Sequence, residues 1–304
     1  MKKAQFNFVW IFALLVGASI LALAIFGATR TGSTADAEKS AFLAKSILVL
    51  TNPLQAGFSD ASYGEIILGS EAKIENSCNS IDFGESEIGV FVRKGGGWSL
   101  RGPRVSVKNR YIFSNRTVEG ERVGVFSLPF NFPYKVADLL ILLDENYCFE
   151  GAPKNFKTTL LNLKSPYLSF GNCGSNATKV CFGSGRSCDV VVSCTGSCER
   201  GSVKRDGKSV EFAGNLIYAA IFSDSKVYSC NVKRLLFRAR TLAEEFAEKS
   251  KLLAARPGCG SRLDTDLASW KNLLSGRRQS LGSLYNSMKG LENKNSALRC
   301  RVWR

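Results

Sequence analysis

The N-terminal segment constrains this chain more than any other feature, because residues 4–29 contain no charged side chain. A helix needs roughly 20 apolar residues to cross a hydrocarbon core about 30 Å thick, and inside the bilayer such a run must be helical. The run from Phe6 to Ala28 meets that length. The sequence therefore predicts a transmembrane helix whose anchoring side chains include Phe6, Trp10, Leu14, Leu21 and Phe26.

The residues beside this run predict its orientation. Lys2 and Lys3 precede it, and basic residues are retained on the cytoplasmic side of a membrane helix. We therefore expect a cytoplasmic N-terminus, a single crossing of the cell membrane and an extracytoplasmic body, with the lipid bilayer as the first partner. A cleaved secretory signal, cut near Gly27-Ala28-Thr29, is the alternative, but its apolar region has only about 7–15 residues.

The ten cysteines of the chain all lie after the apolar run. An even number of cysteines in an extracytoplasmic domain is typical of a disulfide framework. Five of them fall within the cysteine-rich lobe 173–198, where a four-cysteine zinc site is the alternative. Zinc sites usually carry paired C-x2-C motifs, and the lobe has none, so we predict disulfides and no metal. The disulfide candidates are Cys78, Cys148, Cys173, Cys181, Cys188, Cys194, Cys198, Cys230, Cys259 and Cys300.

Helix length limits how the last cysteines can pair. An unbroken helix over 262–299 would be about 55 Å long, whereas the Cα atoms of a disulfide lie within about 7 Å of each other. Cys259 and Cys300 can therefore pair within one chain only if this helix folds back. We expect instead that Cys230 pairs with Cys300, or that either of them pairs with the β-rich region.

The chain contains no histidine, which excludes several kinds of active site. A Ser-His-Asp relay, a Cys-His pair and a histidine metal site are all impossible. Glycosidase chemistry needs only two carboxylates, but no pair stands out among the acidic residues. We therefore predict that the protein is not an enzyme, needs no cofactor and has no evident small-molecule substrate. The carboxylates considered are Asp82, Glu85, Glu87, Asp138, Asp144 and Glu145.

Residues 54–215 are predicted to form a β-rich extracytoplasmic domain, because short β-branched and aromatic segments alternate there with Gly, Pro and Asn. Asp206-Gly207 predicts a two-residue hairpin turn. Leu139 to Phe149 is compatible with a buried strand or a short helix. Two sequons at Asn115 and Asn176 are possible glycosylation sites in this domain.

Helices are predicted on either side of the β-rich domain. The signal and the membrane helix occupy 1–30, and a helix that packs on the domain follows at 31–53, where Asn52-Pro53 ends it. Residues 216–304 are predicted to form a basic antiparallel helical hairpin, whose first helix has apolar residues at three- and four-residue steps.

The second helix of this hairpin carries an apolar heptad seam, which is typical of coiled-coil packing. We expect the seam to pack on the first helix, and contact with another chain is the alternative. Gly276, Gly282 and Gly290 weaken the helix and predict a kink near 276–282. The seam positions are Leu263, Leu267, Trp270, Leu274, Arg277, Leu281, Leu284, Met288, Leu291, Asn295 and Leu298.

Positive charge is concentrated in the last quarter of the chain. The formal net charge is +15, and residues 231–304 contain 16 basic and six acidic residues. A basic extracytoplasmic surface favours acidic glycans, anionic headgroups or nucleic acid as partners, although a solvated helical face would have the same composition. The residues predicted to contact an acidic partner are Arg277, Arg278, Arg299, Arg301, Trp303 and Arg304.

Lys2-Lys3-Ala4-Gln5, followed by FNFVWIFALLVGASILALAIFG, resembles the class III signal of archaeal type IV pilin-like proteins. The resemblance covers about the first 30 residues. It implies that a peptidase cuts between Ala4 and Gln5 and leaves the apolar helix attached as an assembly scaffold. It also implies a β-rich head and other pilin-like subunits as partners.

Together these features predict an α+β fold in which a transmembrane helix continues into a packed helix, a disulfide-stapled β-rich head and a helical hairpin. The predicted function is a membrane-anchored surface protein with a structural or adhesive role, and the resemblance adds a pilin-like minor subunit. The alternative is a tethered module that binds acidic polymers, either glycan or nucleic acid, through the basic C-terminal helices.

Overall fold

A computed structural model of the chain describes residues 14–26, 44, 61–94, 96–98, 104–183, 187–260, 262–276 and 279–304. Several sequence predictions fall outside these residues. They concern the suspected processing site Ala4 and Gln5, the anchor residues Phe6 and Trp10, the helix at 31–53 apart from Ala44, and Arg277 and Arg278.

The prediction of a fold built on a transmembrane helix is wrong for the part of the chain that the structure describes. No helix in that part is long and apolar enough to cross a membrane. Residues 14–26 are helical, and we name them α1. The side chains of Leu14, Leu21 and Phe26 are exposed on this helix.

The first of two β-sheets has seven strands in the order β3-β2-β1-β6-β7-β5, with β4 also paired to β2. Neighbouring strands are antiparallel except β5 and β7, which are parallel. The strands are β1 (Ser62–Asn79), β2 (Glu85–Lys94), β3 (Gly97–Trp98), β4 (Val105–Val107), β5 (Tyr111–Phe113), β6 (Thr117–Asn131) and β7 (Lys135–Leu143).

The second sheet has six strands in the order β13-β12-β11-β10-β8-β9. Strands β9, β8, β10 and β11 are parallel to one another, whereas β11, β12 and β13 form an antiparallel meander. The strands are β8 (Tyr147–Glu150), β9 (Leu168–Phe170), β10 (Thr178–Phe182), β11 (Val190–Cys194), β12 (Arg200–Arg205) and β13 (Lys208–Ala213).

Turn residues explain where the strands end. Asp206 and Gly207 have φ of +50° and +72° and join β12 to β13, as the hairpin motif predicts. Asn109, with φ of +59°, lies in the turn that separates β4 from β5. The segment from Leu139 to Phe149 is neither one strand nor a helix, because the polar residues 144–146 separate β7 from β8 and so join the two sheets.

Five helices follow within the described residues from 154 onward. Every residue of α3 is buried, and α3 packs against β7 of the first sheet and β12 and β13 of the second. Asp224 caps the long helix α4, because its carboxylate accepts hydrogen bonds from the backbone nitrogens of Lys226 and Val227. The helices are α2 (Lys154–Asn162), α3 (Leu216–Phe222), α4 (Ser225–Ala254), α5 (Asp264–Leu274) and α6 (Leu281–Ser296).

Apolar side chains cover both faces of the first sheet. Tyr111 and Phe113 of β5 point into the larger core, which the second sheet and the helices share. Ile112, between them, points to a smaller cluster on the opposite face. Ala44 is helical and fully buried in that smaller cluster.

The predicted two-helix hairpin of residues 216–304 is wrong, because the described part of this region contains four helices, α3 to α6. Helices α4 and α5 are antiparallel, as the hydrogen bond from Leu263 N to Ser250 Oγ (2.9 Å) and the ion pair of Lys271 with Glu244 (2.9 Å) show. The chain leaves the helix after Leu274, close to the predicted kink, and α6 instead packs against β12 and β13. The heptad seam is therefore divided between two helices that bury it against different neighbours.

The predicted disulfide framework is confirmed, since none of the ten cysteines is free. Of the two expected pairings, Cys230 with Cys300 is wrong, whereas the alternative that Cys230 pairs with the β-rich region is confirmed by Cys78–Cys230. Cys300 reaches Cys259 because the helical segment folds back between α5 and α6. Pairing of all five lobe cysteines also excludes the zinc alternative. The disulfides are Cys78–Cys230, Cys148–Cys173, Cys181–Cys188, Cys194–Cys198 and Cys259–Cys300.

Candidate functional site

The Cys259–Cys300 disulfide brings two arginine-rich segments together. It holds the Cα atoms of the two cysteines 5.2 Å apart, and a Cβ at Gly258 would lie 3.6 Å from Nη1 of Arg299. Five exposed arginines of these segments form what we call the arginine cluster. Within the described residues none of them makes an ion pair, whereas the lysines of the neighbouring helices do. The arginine cluster consists of Arg256, Arg262, Arg299, Arg301 and Arg304.

The predicted partner contact of Trp303 does not fit its position. Trp303 is 6% exposed, and its ring packs against Tyr134 and Phe246 with centroid distances of 5.7 and 5.9 Å. Asn295 fixes the tail, because its side chain donates to the Trp303 carbonyl (2.9 Å) and accepts from Val302 N (2.7 Å). Trp303 therefore anchors the tail in the core, and the contacts of Asn295 explain why this polar residue occupies a position of the heptad seam.

A second polar cluster joins the two sheets at Glu145, between β7 and β8. Its Oε1 accepts hydrogen bonds from Tyr147 (2.7 Å) and Arg205 (3.1 Å), and its Oε2 accepts one from Thr178 (2.9 Å). Burial acts to raise the pKa of Glu145, but the hydrogen bonds from Tyr147 and Thr178 and the charge of Arg205 hold it below its ordinary value.

Asp144 is the carboxylate with the most unusual environment. Burial, together with the negative charge of Glu145, raises the pKa of Asp144 to about 6. Perturbed carboxylates are candidates for acid-base catalysis, but Glu145 is held by Arg205 and three neutral donors. These contacts connect β7, β8, β10 and β12 and so stabilise the junction of the two sheets.

The other carboxylates considered from the sequence are dispersed over the first sheet. Asp82 lies in the turn between β1 and β2, and Glu85 begins β2. Glu87 accepts a hydrogen bond from Ser77 (3.1 Å), and Asp138 pairs with Lys135 (2.9 Å). Apart from the adjacent Asp144 and Glu145, the fold does not bring these candidates together.

Arg234 is fully buried, although nothing in the sequence distinguishes it from its basic neighbours. Its guanidinium donates to the carbonyl oxygens of Phe83 (3.0 Å) and Gly84 (3.4 Å) and to the side chains of Ser86 (2.8 Å) and Asn231 (2.7 Å). Burial lowers the pKa of Arg234. The contacts fasten α4 to the start of β2, so this arginine is removed from the positive surface that composition suggests.

An open groove lies on the outer face of the second sheet. Ser193, Ser202 and Glu211 are opposite one another on β11, β12 and β13, and the start of α6 forms the border beyond β13. The sheet groove, as we name it, has a volume of about 820 Å³. Sequence reasoning missed it, because only the strand register places these residues in one row. It is lined by Gly183, Val191, Ser193, Cys194, Thr195, Arg200, Gly201, Ser202, Glu211, Ser280 and Gly282.

The two sequons differ in accessibility. Asn176 is exposed in the cysteine-rich lobe. The amide of Asn115 is half-buried and donates to Oε1 of Glu145 (3.4 Å), so a glycan there would disturb the junction of the sheets. Asn176 is therefore the better glycosylation candidate.

Comparisons with known proteins give no independent guide to these sites. No protein family model, curated protein or solved structure matches this chain.

Proposed function

We propose that this protein works outside the cytoplasm as a structural or adhesive surface protein and not as an enzyme. The observation that carries the proposal is the pairing of all ten cysteines in disulfides. Such a framework persists in oxidising compartments and is rare in the reducing cytosol. The N-terminal resemblance favours a pilin-like minor subunit as the specific form of such a protein.

The distribution of the disulfides supports a mechanically robust body. Cys78–Cys230 ties α4 to the first sheet, and Cys259–Cys300 ties the tail to the turn after α4. The other three bridges lie in and around the second sheet. The non-catalytic role is supported by the missing histidine and by the structural contacts of Glu145.

Labelling of intact cells tests this proposal. The exposed lysines of the body are expected to react with a membrane-impermeant amine reagent as fully before lysis as after it. An abundant cytoplasmic protein serves as the control and is expected to react only after lysis. If this protein also reacts only after lysis, the extracytoplasmic assignment is wrong.

A second candidate function is the binding of an acidic polymer by the arginine cluster. The specific observation is that five exposed arginines lie around one disulfide without an acidic partner among the described residues. Ion pairs of this kind strengthen association and weaken as salt screens them. For a surface protein, we take an acidic glycan as the polymer.

Charge-matched variants test this candidate. Replacing Arg256, Arg299 and Arg301 by Gln is expected to weaken binding to a sulfated polysaccharide by at least about tenfold at 0.1 M salt and to reduce the salt dependence. The control replaces Lys154, Lys208 and Lys226, which are exposed elsewhere, by Gln. Equal weakening in both variants would show that net charge alone, and not the cluster, attracts the polymer.

A further inference from the structure

We propose that the sheet groove is a binding site for an uncharged carbohydrate. This inference rests on the proposed surface function and identifies the class of ligand that an adhesive protein of this shape would recognise. It depends on three properties of the groove: unengaged hydroxyl groups, balanced charge, and a position on the face of a sheet.

Hydroxyl groups form the floor of the groove. Ser193 and Ser202 are paired across β11 and β12, about 4.8 Å apart as neighbouring strands are, and Thr195 follows two residues after Ser193. None of these three hydroxyls bonds to another described residue. Each is both a donor and an acceptor, which matches the hydrogen-bonding character of a sugar hydroxyl.

The charged residues of the groove balance each other. Arg200 donates to the neutral side chain of Asn286, and Glu211 accepts a hydrogen bond from Leu281 N (2.9 Å). An anionic ligand would be repelled by the carboxylate of Glu211, and a cationic ligand would be repelled by the guanidinium of Arg200. A neutral ligand can instead accept from the guanidinium and donate to the carboxylate, which gives two directional contacts at no cost in repulsion.

The position of the groove argues against a peptide ligand. An extended peptide binds at a sheet edge, where backbone groups are unpaired, and an amphipathic helix needs an apolar groove. The sheet groove lies on the face of β11, β12 and β13, whose backbones pair with each other, and Val191 is its one large apolar side chain. Its volume of about 820 Å³ is in the usual range for small-ligand sites of roughly 300–1,000 Å³.

A binding screen with matched variants tests the inference on the full chain. The probes are immobilised neutral oligosaccharides of hexoses and N-acetylhexosamines, followed by titration of those that bind. Ser202→Trp fills the groove and is expected to abolish binding. Ser193→Ala with Ser202→Ala removes two hydrogen bonds without adding bulk and is expected to weaken binding about tenfold. Ser209→Trp, on the same sheet but outside the lining, is expected to bind like the wild type.

Three results have distinct meanings once thermal unfolding has shown that the variants are folded. Binding that Ser202→Trp removes and Ser209→Trp preserves supports the site. Failure of the wild type to bind any neutral probe, or equal binding by Ser202→Trp, overturns the inference, even if surface labelling still supports the proposed function. Glycan binding by a protein that labels only after cell lysis would overturn the proposed function instead.

Discussion

Arg234 shows how much one residue contributes beyond what its sequence context suggests. Arg234 makes four hydrogen bonds through its buried guanidinium, whose Cζ lies 4.7 Å from the centroid of the Tyr111 ring. The sequence places it among basic residues that we assigned to a charged surface. Arg234 is buried because the β1–β2 turn packs against α4. This contact joins residues about 150 positions apart, so the sequence does not show that Arg234 differs from its exposed basic neighbours.

We expect Arg234→Met to lower the free energy of unfolding by about 3 kcal/mol, because the carbonyl oxygens of Phe83 and Gly84 lose their donors inside the protein. Lys233→Met removes the same charge from an exposed neighbour and is expected to change stability by less than about 0.5 kcal/mol. Urea unfolding measures both. Equal effects would show that the buried hydrogen bonds contribute little.

Asp144 is expected to make stability depend on pH. Its folded pKa of about 6 lies above its ordinary value of 3.8, so the folded state holds the proton more tightly and loses stability as pH rises between these values. Asp144→Asn removes this loss and is expected to stabilise the protein by up to about 3 kcal/mol at pH 7.5, with little difference near pH 4. The lowered pKa of Glu145 has the opposite effect on the pH dependence of stability. Comparing the variant with the wild type isolates the contribution of Asp144. A difference that does not change with pH would contradict the burial of this carboxylate.

Among the elements, the helices after Asn231 show where a local pattern succeeds and where it fails. The break near Gly276 follows from local propensity, and the sequence predicts it. The regular heptad spacing nevertheless suggested one continuous seam, because periodicity does not state which neighbour each turn will meet. The Asp206-Gly207 turn needs no such long-range information and is predicted correctly. The sheet groove depends on strand register across three strands, which no local pattern supplies.

Removal of the Cys259–Cys300 disulfide is expected to be costly, because the bridge closes a segment of 41 residues. Chain entropy predicts a loss of about 4 kcal/mol for the double Ser variant, against about 2.5 kcal/mol for the Cys181–Cys188 bridge, which spans seven. Urea unfolding without reductant measures both variants. A larger loss for the shorter bridge would show that strain, and not loop closure, determines these contributions.

At the scale of the whole molecule, the two sheets share one large core with α3 and α4. Phe222 of α3 packs on Phe126 of the first sheet and Tyr147 of the second, with centroid distances of 5.5 and 4.7 Å. The sequence indicates both helices and strands, but it does not show how strands divide between two sheets, because that depends on contacts between distant segments.

The central claim is that oxidation completes this fold outside the cytoplasm. It is tested most directly by mass spectrometry of the protein isolated without reductant from cells quenched with a thiol-alkylating reagent. We expect no alkylated cysteine and five linked peptide pairs, including Cys78–Cys230 and Cys259–Cys300. Alkylated cysteines in the folded protein would contradict the extracytoplasmic assignment, and a Cys230–Cys300 link would contradict the folding back of the C-terminal helices.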